Sequence, residues 1–240
     1  MKILQLNAWT GRIKGALGEF LQKNDYDVIC LQEAVWSDNK LLENFALTVD
    51  QIKELSRMSY DYRSANWEIE AFGSVVKQGN VILSREEMIE KSTKIIRGEY
   101  LSLKSIEDIE KQGYTLQIVK LKNGLDIVNH HGYWRKSPIG NEDTVAAMQK
   151  VAGFVRKIEG PVVMCGDLNI IHASPAMREI DFLRDLTEEY GYKNTLNGLK
   201  FNGEVACDHI LVNEKVKVEK FEVLDNLISD HKGLVAEIAI

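Results

Sequence analysis

The sequence predicts an α/β protein in which two β-sheets pack face to face and helices cover the outside. Two observations lead to this prediction. Helical segments follow strands in the first and third quarters of the chain, whereas the middle and the end contain successive strands joined by tight turns such as Lys122-Asn123-Gly124. Strands followed by helices favour a sheet covered by helices, and hairpin-rich segments favour sheets that pack on each other.

The predicted strands are short runs of apolar and β-branched residues between turn residues. In chain order they cover 2–7, 27–32, 67–76, 79–84, 114–121, 124–131, 161–166, 205–213, 216–223 and 234–240. The run Val162-Val163-Met164-Cys165 has no polar interruption, which predicts a buried strand.

Four helices are predicted where apolar residues recur at steps of three and four. They cover 12–23, 38–58, 141–158 and 175–190. The clearest is the third, because Gly160 can cap its end and Pro161 forbids its continuation. The last helix has Pro175 near its first turn, where proline is tolerated.

The composition is that of one globular domain covering residues 1–240. Apolar residues make up 45% and charged residues 28% of the chain, and no Pro/Gly/Ser-rich linker interrupts it. The formal net charge of -6 argues against tight nonspecific binding to nucleic acid, although it leaves room for a local basic rim. No apolar run is long enough to span a bilayer, and the first residues do not resemble a signal peptide. We therefore expect no membrane insertion and a cytoplasmic location.

The three cysteines are Cys30, Cys165 and Cys207. Their odd number and their spacing suggest neither a disulfide framework nor a zinc site. We expect them to be small buried residues in a reducing compartment.

Polar residues stand at the ends of several predicted strands. Gly166-Asp167-Leu168-Asn169 and Gln32-Glu33 each follow an apolar run, and Ser229-Asp230-His231 precedes the last strand. Each segment also has an ordinary structural explanation: an Asx-turn accounts for a Gly-Asp pair, and an acid at a helix N-terminus accounts for Glu33. Asn7 is equally explained as a turn residue. Together, however, these segments predict one polar site that requires no nucleophilic Ser or Cys.

Asp208 and His209 interrupt an apolar strand, and a buried acid needs a partner. His231 is a natural partner, because a neighbouring carboxylate orients an imidazole and raises its pKa. Ser229, Asp230 and His231 do not form a catalytic triad, since adjacent residues cannot adopt the geometry that a triad requires. Of His130 and His131, which point in opposite directions, at most one is expected to face the site.

These segments occur in an order that resembles the endonuclease/exonuclease/phosphatase superfamily. The elements are Leu6-Asn7, Leu31-Gln32-Glu33, Asn129-His130-His131, Gly166-Asp167-Leu168-Asn169, Asp208-His209-Ile210 and Ser229-Asp230-His231. Each element is short, but their joint order and spacing are specific, and the resemblance extends from residue 2 to residue 240. It implies a four-layer α/β sandwich of two mixed sheets, like that of deoxyribonuclease I.

The resemblance implies a hydrolase that attacks a phosphate ester with an activated water. Glu33 would bind Mg²⁺ or Mn²⁺, with Asn7 and Asp230 nearby, because these hard cations prefer oxygen ligands. Asp167 would hold and deprotonate the attacking water. Asn169 would orient the phosphate or that water.

The resemblance also assigns roles to the imidazoles. Asp208 would fix His231, which would contact a non-bridging phosphate oxygen and stabilise the transition state. His131 would contact the phosphate or assist the leaving group, and we prefer it to His130, which occupies the position of a threonine in the family pattern. His130 and His209 are departures from that pattern.

The substrate is less well defined. Trp134 and Arg135 are predicted to stack on and neutralise part of a substrate, although an exposed loop with a half-buried Trp explains them equally well. Asn80 is a third candidate for substrate binding, because Gly79-Asn80-Val81-Ile82-Leu83-Ser84-Arg85 resembles the middle strand of the family.

Three functions remain open from the sequence. The first is a metal-dependent phosphodiesterase acting on a phosphate ester, with nucleic acid among the candidate substrates. The second is a phosphomonoesterase acting on a small or inositol-type phosphate. The third is an inactive scaffold that binds a partner, although no obligate protein partner is evident and every expected acid is present.

Overall fold

The computed structural model describes residues 1–71, 73–199 and 203–240. In these ranges the strands are β1 (Lys2–Asn7), β2 (Val28–Ser37), β3 (Tyr60–Ala71), β4 (Ser74–Ser84), β5 (Met88–Arg97), β6 (Leu101–Leu103), β7 (Tyr114–Leu121), β8 (Asp126–His130), β9 (Val162–Asp167), β10 (Arg184–Asp185), β11 (Asp208–Val212), β12 (Lys217–Val223) and β13 (Leu234–Ala239). The α-helices are α1 (Lys14–Lys23), α2 (Val49–Leu55), α3 (Glu142–Val155) and α4 (Leu186–Glu189). Short 3-10 helices cover Trp9–Gly11, Lys40–Asn44, Ile106–Lys111 and Pro175–Ile180.

The strands form two mixed sheets, as predicted. The first has the order β12-β13-β1-β2-β4-β3-β6, and the second has the order β10-β11-β9-β8-β7-β5. Most neighbouring strands are antiparallel, but β1 pairs with β2 and β8 pairs with β9 in parallel. The fold is therefore the deoxyribonuclease I-like sandwich that the sequence predicts.

Three apolar clusters show how the layers pack. The central cluster joins residues of both sheets, for example Ile3 and Val163. On the outer face of the first sheet, helix residues such as Leu17 and Ile52 pack against the alternate side chains of the strands. On the outer face of the second sheet, α3 contributes residues such as Val151. Helices thus cover both outer faces, and the inner faces of the sheets bury each other.

The prediction of separate strands over 67–76 and 79–84 is wrong. The structure has one long hairpin, in which β3 runs to Ala71 and β4 begins at Ser74. Gly73 has a φ of +72°, which allows the chain to reverse there. Phe72 lies outside the described residues.

Gly79 is the first residue of the predicted strand 79–84, yet it lies inside β4. A Cβ atom at this position would lie 2.0 Å from the carbonyl oxygen of Ser64 on β3. Glycine is therefore required here by the close approach of the neighbouring strand, and it does not end the strand.

Two of the four predicted helices are also wrong. Segment 38–58 contains a 3-10 helix and the short α2, because Thr48 begins α2 with a capping box that includes Gln51. Segment 175–190 contains a 3-10 helix, the two-residue β10 and the single-turn α4. The helices predicted over 12–23 and 141–158 are present as α1 and α3, but α3 ends at Val155 and is not capped by Gly160.

Strands β5 and β6 were not predicted. Strand β5 lies at the edge of its sheet, and only Met88 and Ile96 among its residues are buried. Its sequence therefore lacks the alternation by which strands are recognised.

All three cysteines are buried and free, as expected. Among the described helices, none is both long enough and apolar enough to cross a membrane.

Candidate active site

A cavity of about 480 Å³ opens at the ends of strands from both sheets. A volume of this order suits a small ligand or one segment of a larger substrate. The cavity collects most of the residues that the sequence singled out, namely Glu33, His131, Trp134, Arg135, Asp167, Asn169, Asp230 and His231.

Asp167 lies at the centre of this site. It ends β9 and is almost fully buried. Its Oδ2 accepts a hydrogen bond of 2.9 Å from Nδ2 of Asn7, and its Oδ1 accepts one of 3.0 Å from the backbone N–H of Asn169. These bonds fix the carboxylate in one orientation at the floor of the cavity.

Two imidazoles converge on the same carboxylate. The Nε2 atoms of His131 and His231 lie 3.6 and 3.7 Å from Oδ2 of Asp167. These separations are longer than a direct N–H···O bond. The three groups therefore surround a position at which a water or a phosphate oxygen can contact each of them.

Asp208 holds His231 from behind. Its Oδ2 accepts hydrogen bonds from Nδ1 of His231 at 2.8 Å and from Oγ1 of Thr195 at 2.7 Å. Burial alone would lower the pKa of His231, but the charges of Asp208 and Asp167 outweigh it and raise that pKa well above its ordinary value. Asp208 thus holds His231 with Nε2 directed toward Asp167.

The other two histidines near these strands do not face the cavity. His130 is buried with its Nδ1 2.9 Å from the carbonyl oxygen of Thr115, and burial lowers its pKa to about 4. His209 is fully buried, with Nδ1 2.9 Å from Asp185 and Nε2 2.8 Å from the carbonyl oxygen of Ile170. The structure thus brings His131, and not His130, to the site.

Two residues of the site have strained backbones. Glu33 and Asn169 adopt φ values of 51° and 57°, which non-glycine residues rarely do. Glu33 lies in an irregular part of β2, where the register with β4 shifts between Leu31 and Ala34. Strain of this kind is concentrated at functional sites, where the surrounding structure holds it in place.

The comparison with protein families agrees with this geometry. The family model described as the Endonuclease/Exonuclease/phosphatase family matches residues 4–231. The chain belongs to this family. Members of the endonuclease/exonuclease/phosphatase family are phosphoester hydrolases, and they typically depend on a divalent metal.

Solved structures of similar fold come from several organisms. An endonuclease/exonuclease/phosphatase from Beutenbergia cavernae DSM 12333 has a TM-score of 0.72 at 16% identity, over 99% of this chain and 71% of that chain. A mannosyl-6-phosphatase from Bacteroides thetaiotaomicron VPI-5482 has a TM-score of 0.71 at 15% identity, over 100% of both chains. The human Nocturnin catalytic domain with bound sulfate has a TM-score of 0.70 at 16% identity, over 100% of this chain and 93% of that chain. A comparison with curated proteins gave no match.

The family's requirement for a metal can be tested against the donor atoms. Glu33 and Asp230 both line the cavity, and no lysine or arginine of the described residues pairs with Glu33. The Glu33 carboxylate, which faces the cavity without such a cation, suits a hard divalent ion. Asn7 fits less well, because its Oδ1 accepts a bond of 3.0 Å from the backbone N–H of Trp9 and its Nδ2 faces Glu33 and Asp167.

A second group of potential ligands lies beside the first. One ligand atom from each of Asp167, Cys207, Asp208 and His231 lies within 4.8 Å of the others. Two of these groups already bond to each other, and burial raises the pKa of the Cys207 thiol far above its usual range. A protonated thiol is not a ligand for Mg²⁺. The chemistry of the donors therefore favours Glu33 over this second group, with Asp230 beside it on the cavity lining.

The residues predicted to bind substrate divide into two groups. Trp134, with 59% of its surface exposed, and Arg135 line the wall of the cavity. Arg135 donates to Asp143 at 3.0 Å, which neutralises part of its charge. Asn80 is fully buried, and its Nδ2 donates at 3.0 Å to the carbonyl oxygen of Thr115 on the other sheet. The structure therefore does not bring Asn80 to the cavity.

Sequence reasoning missed two residues behind the site. Thr195 and Gln5 both donate hydrogen bonds to Asp208. Gln5 had a recognisable signal. It lies two residues from Ile3 and two from Asn7, and so it is a polar residue on the same buried inner face of β1. Thr195 lies outside the strands and gave no comparable signal.

Proposed function

We propose that this protein is a metal-dependent phosphodiester hydrolase in which Asp167 deprotonates the attacking water. The arrangement of Asp167 with the two histidine Nε2 atoms carries this proposal. It offers one general base and two N–H donors around a single position. This combination is suited to an attack by water on an anionic phosphate.

In this proposal the residues act as follows. Asp167 accepts a proton as the water oxygen attacks phosphorus, and the ester oxygen departs with its bonding electron pair. His231, held by Asp208, donates to a non-bridging oxygen and stabilises the added negative charge. His131 contacts the phosphate or the leaving oxygen, and Asn169 orients the phosphate or the water.

Glu33 and Asp230 would hold Mg²⁺ or Mn²⁺, with Asn7 beside them. The ion supplies positive charge that neutralises the phosphate and polarises its oxygen. Such a charge is needed, because Glu33, Asp167 and Asp230 would otherwise repel an anionic substrate at close range.

The cavity wall supports the choice of a diester over a monoester. A phosphodiester carries two organic groups on the phosphate, whereas a monoester carries one. Trp134 and Arg135, which line the cavity wall, would contact one of these groups beyond the phosphate.

Hydrolysis of a small panel of phosphate esters would test this function. The panel contains bis-p-nitrophenyl phosphate, p-nitrophenyl phosphate, abasic-site duplex DNA, single-stranded DNA and RNA, and an inositol polyphosphate. We expect diester cleavage that requires Mg²⁺ or Mn²⁺, that EDTA abolishes and that Asp167→Asn lowers by about 10²–10⁴-fold. Asp126→Asn is the matched control, because Asp126 is a buried acid at the start of β8, away from the cavity.

The other outcomes distinguish the alternatives. Preferential cleavage of the monoester or the inositol phosphate would replace the proposal with a phosphomonoesterase. Full activity of a folded Asp167→Asn protein would remove Asp167 from the role of base. Absence of turnover on every substrate, together with a stoichiometric protein partner, would favour the inactive scaffold.

A further inference from the structure

The inner face of β1 reaches two acidic residues of the opposite sheet, Asp167 and Asp208. Gln5 and Asn7 lie two apart on one strand, so their side chains point the same way. Asn7 donates to Asp167 at 2.9 Å, and Gln5 donates to Asp208 at 3.1 Å. Asp167 and Asp208 are themselves directly opposite each other in the pairing of β9 with β11. One strand of the first sheet therefore holds two neighbouring carboxylates of the second.

The amide of Gln5 has only one suitable orientation. Its Nε2 donates both hydrogens, one to Oε1 of Gln32 at 2.8 Å and one to Oδ1 of Asp208 at 3.1 Å. Its Oε1 is buried and has no hydrogen-bond partner in the described parts of the chain. Reversing the amide would place that oxygen against two acceptors. A buried unpaired oxygen costs stability, so the benefit of a glutamine at this position comes from its two N–H donors.

Gln5 donates to the carboxylate oxygen of Asp208 that receives no hydrogen bond from Thr195 or His231. Thr195 and His231 both donate to Oδ2, whereas Gln5 donates to Oδ1. Rotation of the carboxylate about its Cβ–Cγ bond moves both oxygens together. A donor on Oδ1 therefore adds to the bonds on Oδ2 in opposing this rotation, and so helps to fix the direction of the bond to His231.

Gln5 is itself fixed by a buried amide chain between the sheets. Gln32, which accepts from Gln5, donates through Nε2 to Oδ1 of Asn129 at 2.7 Å. Asn129 in turn donates to the main-chain oxygens of Leu31 and Val81 at 3.0 and 3.1 Å. The side chains of Gln5, Gln32 and Asn129 are fully buried. Because these amides are anchored to the backbone of the first sheet, they hold Gln5 at a fixed distance from Asp208.

We propose that Gln5 is a positioning residue for the reaction: it locks the Asp208 carboxylate and thereby aims Nε2 of His231 into the cavity. The proposal rests on the proposed function, in which His231 stabilises the phosphate. Gln5 touches neither the cavity nor a reacting atom, and it acts only through Asp208.

The test compares Gln5→Met with Gln117→Met. Both variants replace a fully buried amide between the two sheets by an unbranched apolar side chain, but Gln117 does not contact Asp208. We expect Gln5→Met to lower kcat on bis-p-nitrophenyl phosphate roughly tenfold or more while KM changes less than about twofold. Gln117→Met should leave both constants close to those of the wild type.

Proton NMR gives a second readout that does not depend on turnover. The Nδ1 proton of His231, shared with Asp208, should give a downfield resonance that is assigned by its loss in His231→Asn. We expect Gln5→Met to broaden or shift this resonance at constant pH and Gln117→Met to preserve it. If Gln5→Met does not fold, Gln5→Asn replaces it, because the shorter amide cannot reach Gln32 and Asp208 together.

The outcomes separate the two proposals. An unchanged resonance and an unchanged kcat in a folded Gln5 variant would overturn the role of Gln5, as would equal effects of the Gln5 and Gln117 variants. Failure of the wild type to cleave any ester would overturn the proposed function instead. The resonance would then still decide whether Gln5 holds Asp208 and His231 together.

Discussion

At the residue scale, His209 is an imidazole whose two ring nitrogens both face acceptors. Its Nδ1 contacts Asp185, which also lies 3.1 Å from Nδ1 of the half-exposed His172. Burial alone would lower the pKa of His209, but the charge of Asp185 and the hydrogen bonds outweigh it and raise that pKa to about 9. Burial would raise the pKa of Asp185, but the His209 charge outweighs it and lowers that pKa. The two residues therefore form a buried ion pair.

This ion pair predicts a loss of stability at alkaline pH. Because the folded pKa of His209 lies above the ordinary value of about 6.5, its contribution is complete below pH 6.5 and is lost as the pH rises through 9. The shift corresponds to about 3 kcal/mol of unfolding free energy. Urea unfolding at pH 6 to 10 should show this decrease in the wild type and not in His209→Gln.

His172→Gln is the control for that experiment. It removes the exposed imidazole that shares Asp185 and leaves His209 in place. We expect the alkaline decrease to persist in this variant. A wild-type unfolding free energy that is constant between pH 6 and pH 10 would show that His209 is not held in its charged form.

Residue-scale features differ in how far the sequence predicts them. The sequence predicts Asp167 because it follows an apolar strand and Asp208 because it interrupts one, where a buried polar group needs a partner. It predicts His231 as that partner of Asp208. It does not predict Thr195, because its partner Asp208 is thirteen positions away and only the folded chain brings them together. Asn80 is the opposite case. Its position in a strand that resembles the family suggested a substrate contact, but in the structure its amide forms a hydrogen bond between the sheets.

At the element scale, β8 and β9 approach each other closely beside the site. A Cβ atom at Gly166 would lie 2.1 Å from the carbonyl oxygen of His130. Glycine therefore allows β9 to deliver Asp167 next to the end of β8. The close approach involves the two strands together, and it cannot be recognised from the contacts of Asp167 alone.

Gly166→Ala should therefore separate the two strands. We expect a loss of about 1–3 kcal/mol in unfolding free energy, which is typical of overpacking, together with a reduced kcat. Gly153→Ala is the matched control, because no atom lies within 4 Å of a Cβ at this exposed position of α3. That variant should be stabilised by roughly 0.5–1 kcal/mol. Equal unfolding midpoints in urea for the two variants would contradict the close approach.

Elements were predicted best where apolar periodicity and boundaries agreed. Helix α3 has both, and it was placed to within three residues at its C-terminal end. Segment 38–58 has an apolar stripe, but Thr48 forms a capping box within it. The helix therefore begins after Thr48, although the apolar periodicity extends further back. Strand β5 lacks a buried face and belongs to the sheet through its pairing with β7. No local sequence pattern predicts this pairing.

At the scale of the whole molecule, the cavity joins acids from both sheets in a chain that is already negative. Glu33 belongs to the first sheet and Asp167 to the second, and the net charge is -6. A bound divalent cation would offset their repulsion, and a ligand that binds only the folded state raises stability. Metal affinity and global stability are therefore expected to be coupled.

Thermal unfolding with and without Mg²⁺ tests this coupling. A hundredfold excess of Mg²⁺ over its Kd should raise Tm by about 5–10 °C for a domain of this size. Glu33→Gln should lose most of this gain, and EDTA should abolish it in the wild type. Glu19→Gln, which changes an exposed acid paired with Lys23 on α1, should keep it. An equal gain in the Glu33 variant would place the metal on other carboxylates.

The overall architecture was predictable, because the order of short motifs along the chain is more specific than any one of them. Two sheets, outer helices and a site that brings together Glu33, Asp167 and His231 all follow from that order. The choice of substrate does not follow, because the cavity wall near Trp134 is built from loops whose positions depend on the whole fold.

The site has one more consequence, which concerns synthesis of the protein. Asn7 and His231 meet around Asp167 although almost the whole sequence separates them. A ribosome-bound chain that has not yet released His231 lacks a complete site, even when β1 and β2 have already paired. Under the proposed function, a chain that terminates before His231 would therefore be inactive, so that activity would begin only once almost all of the sequence has been synthesised.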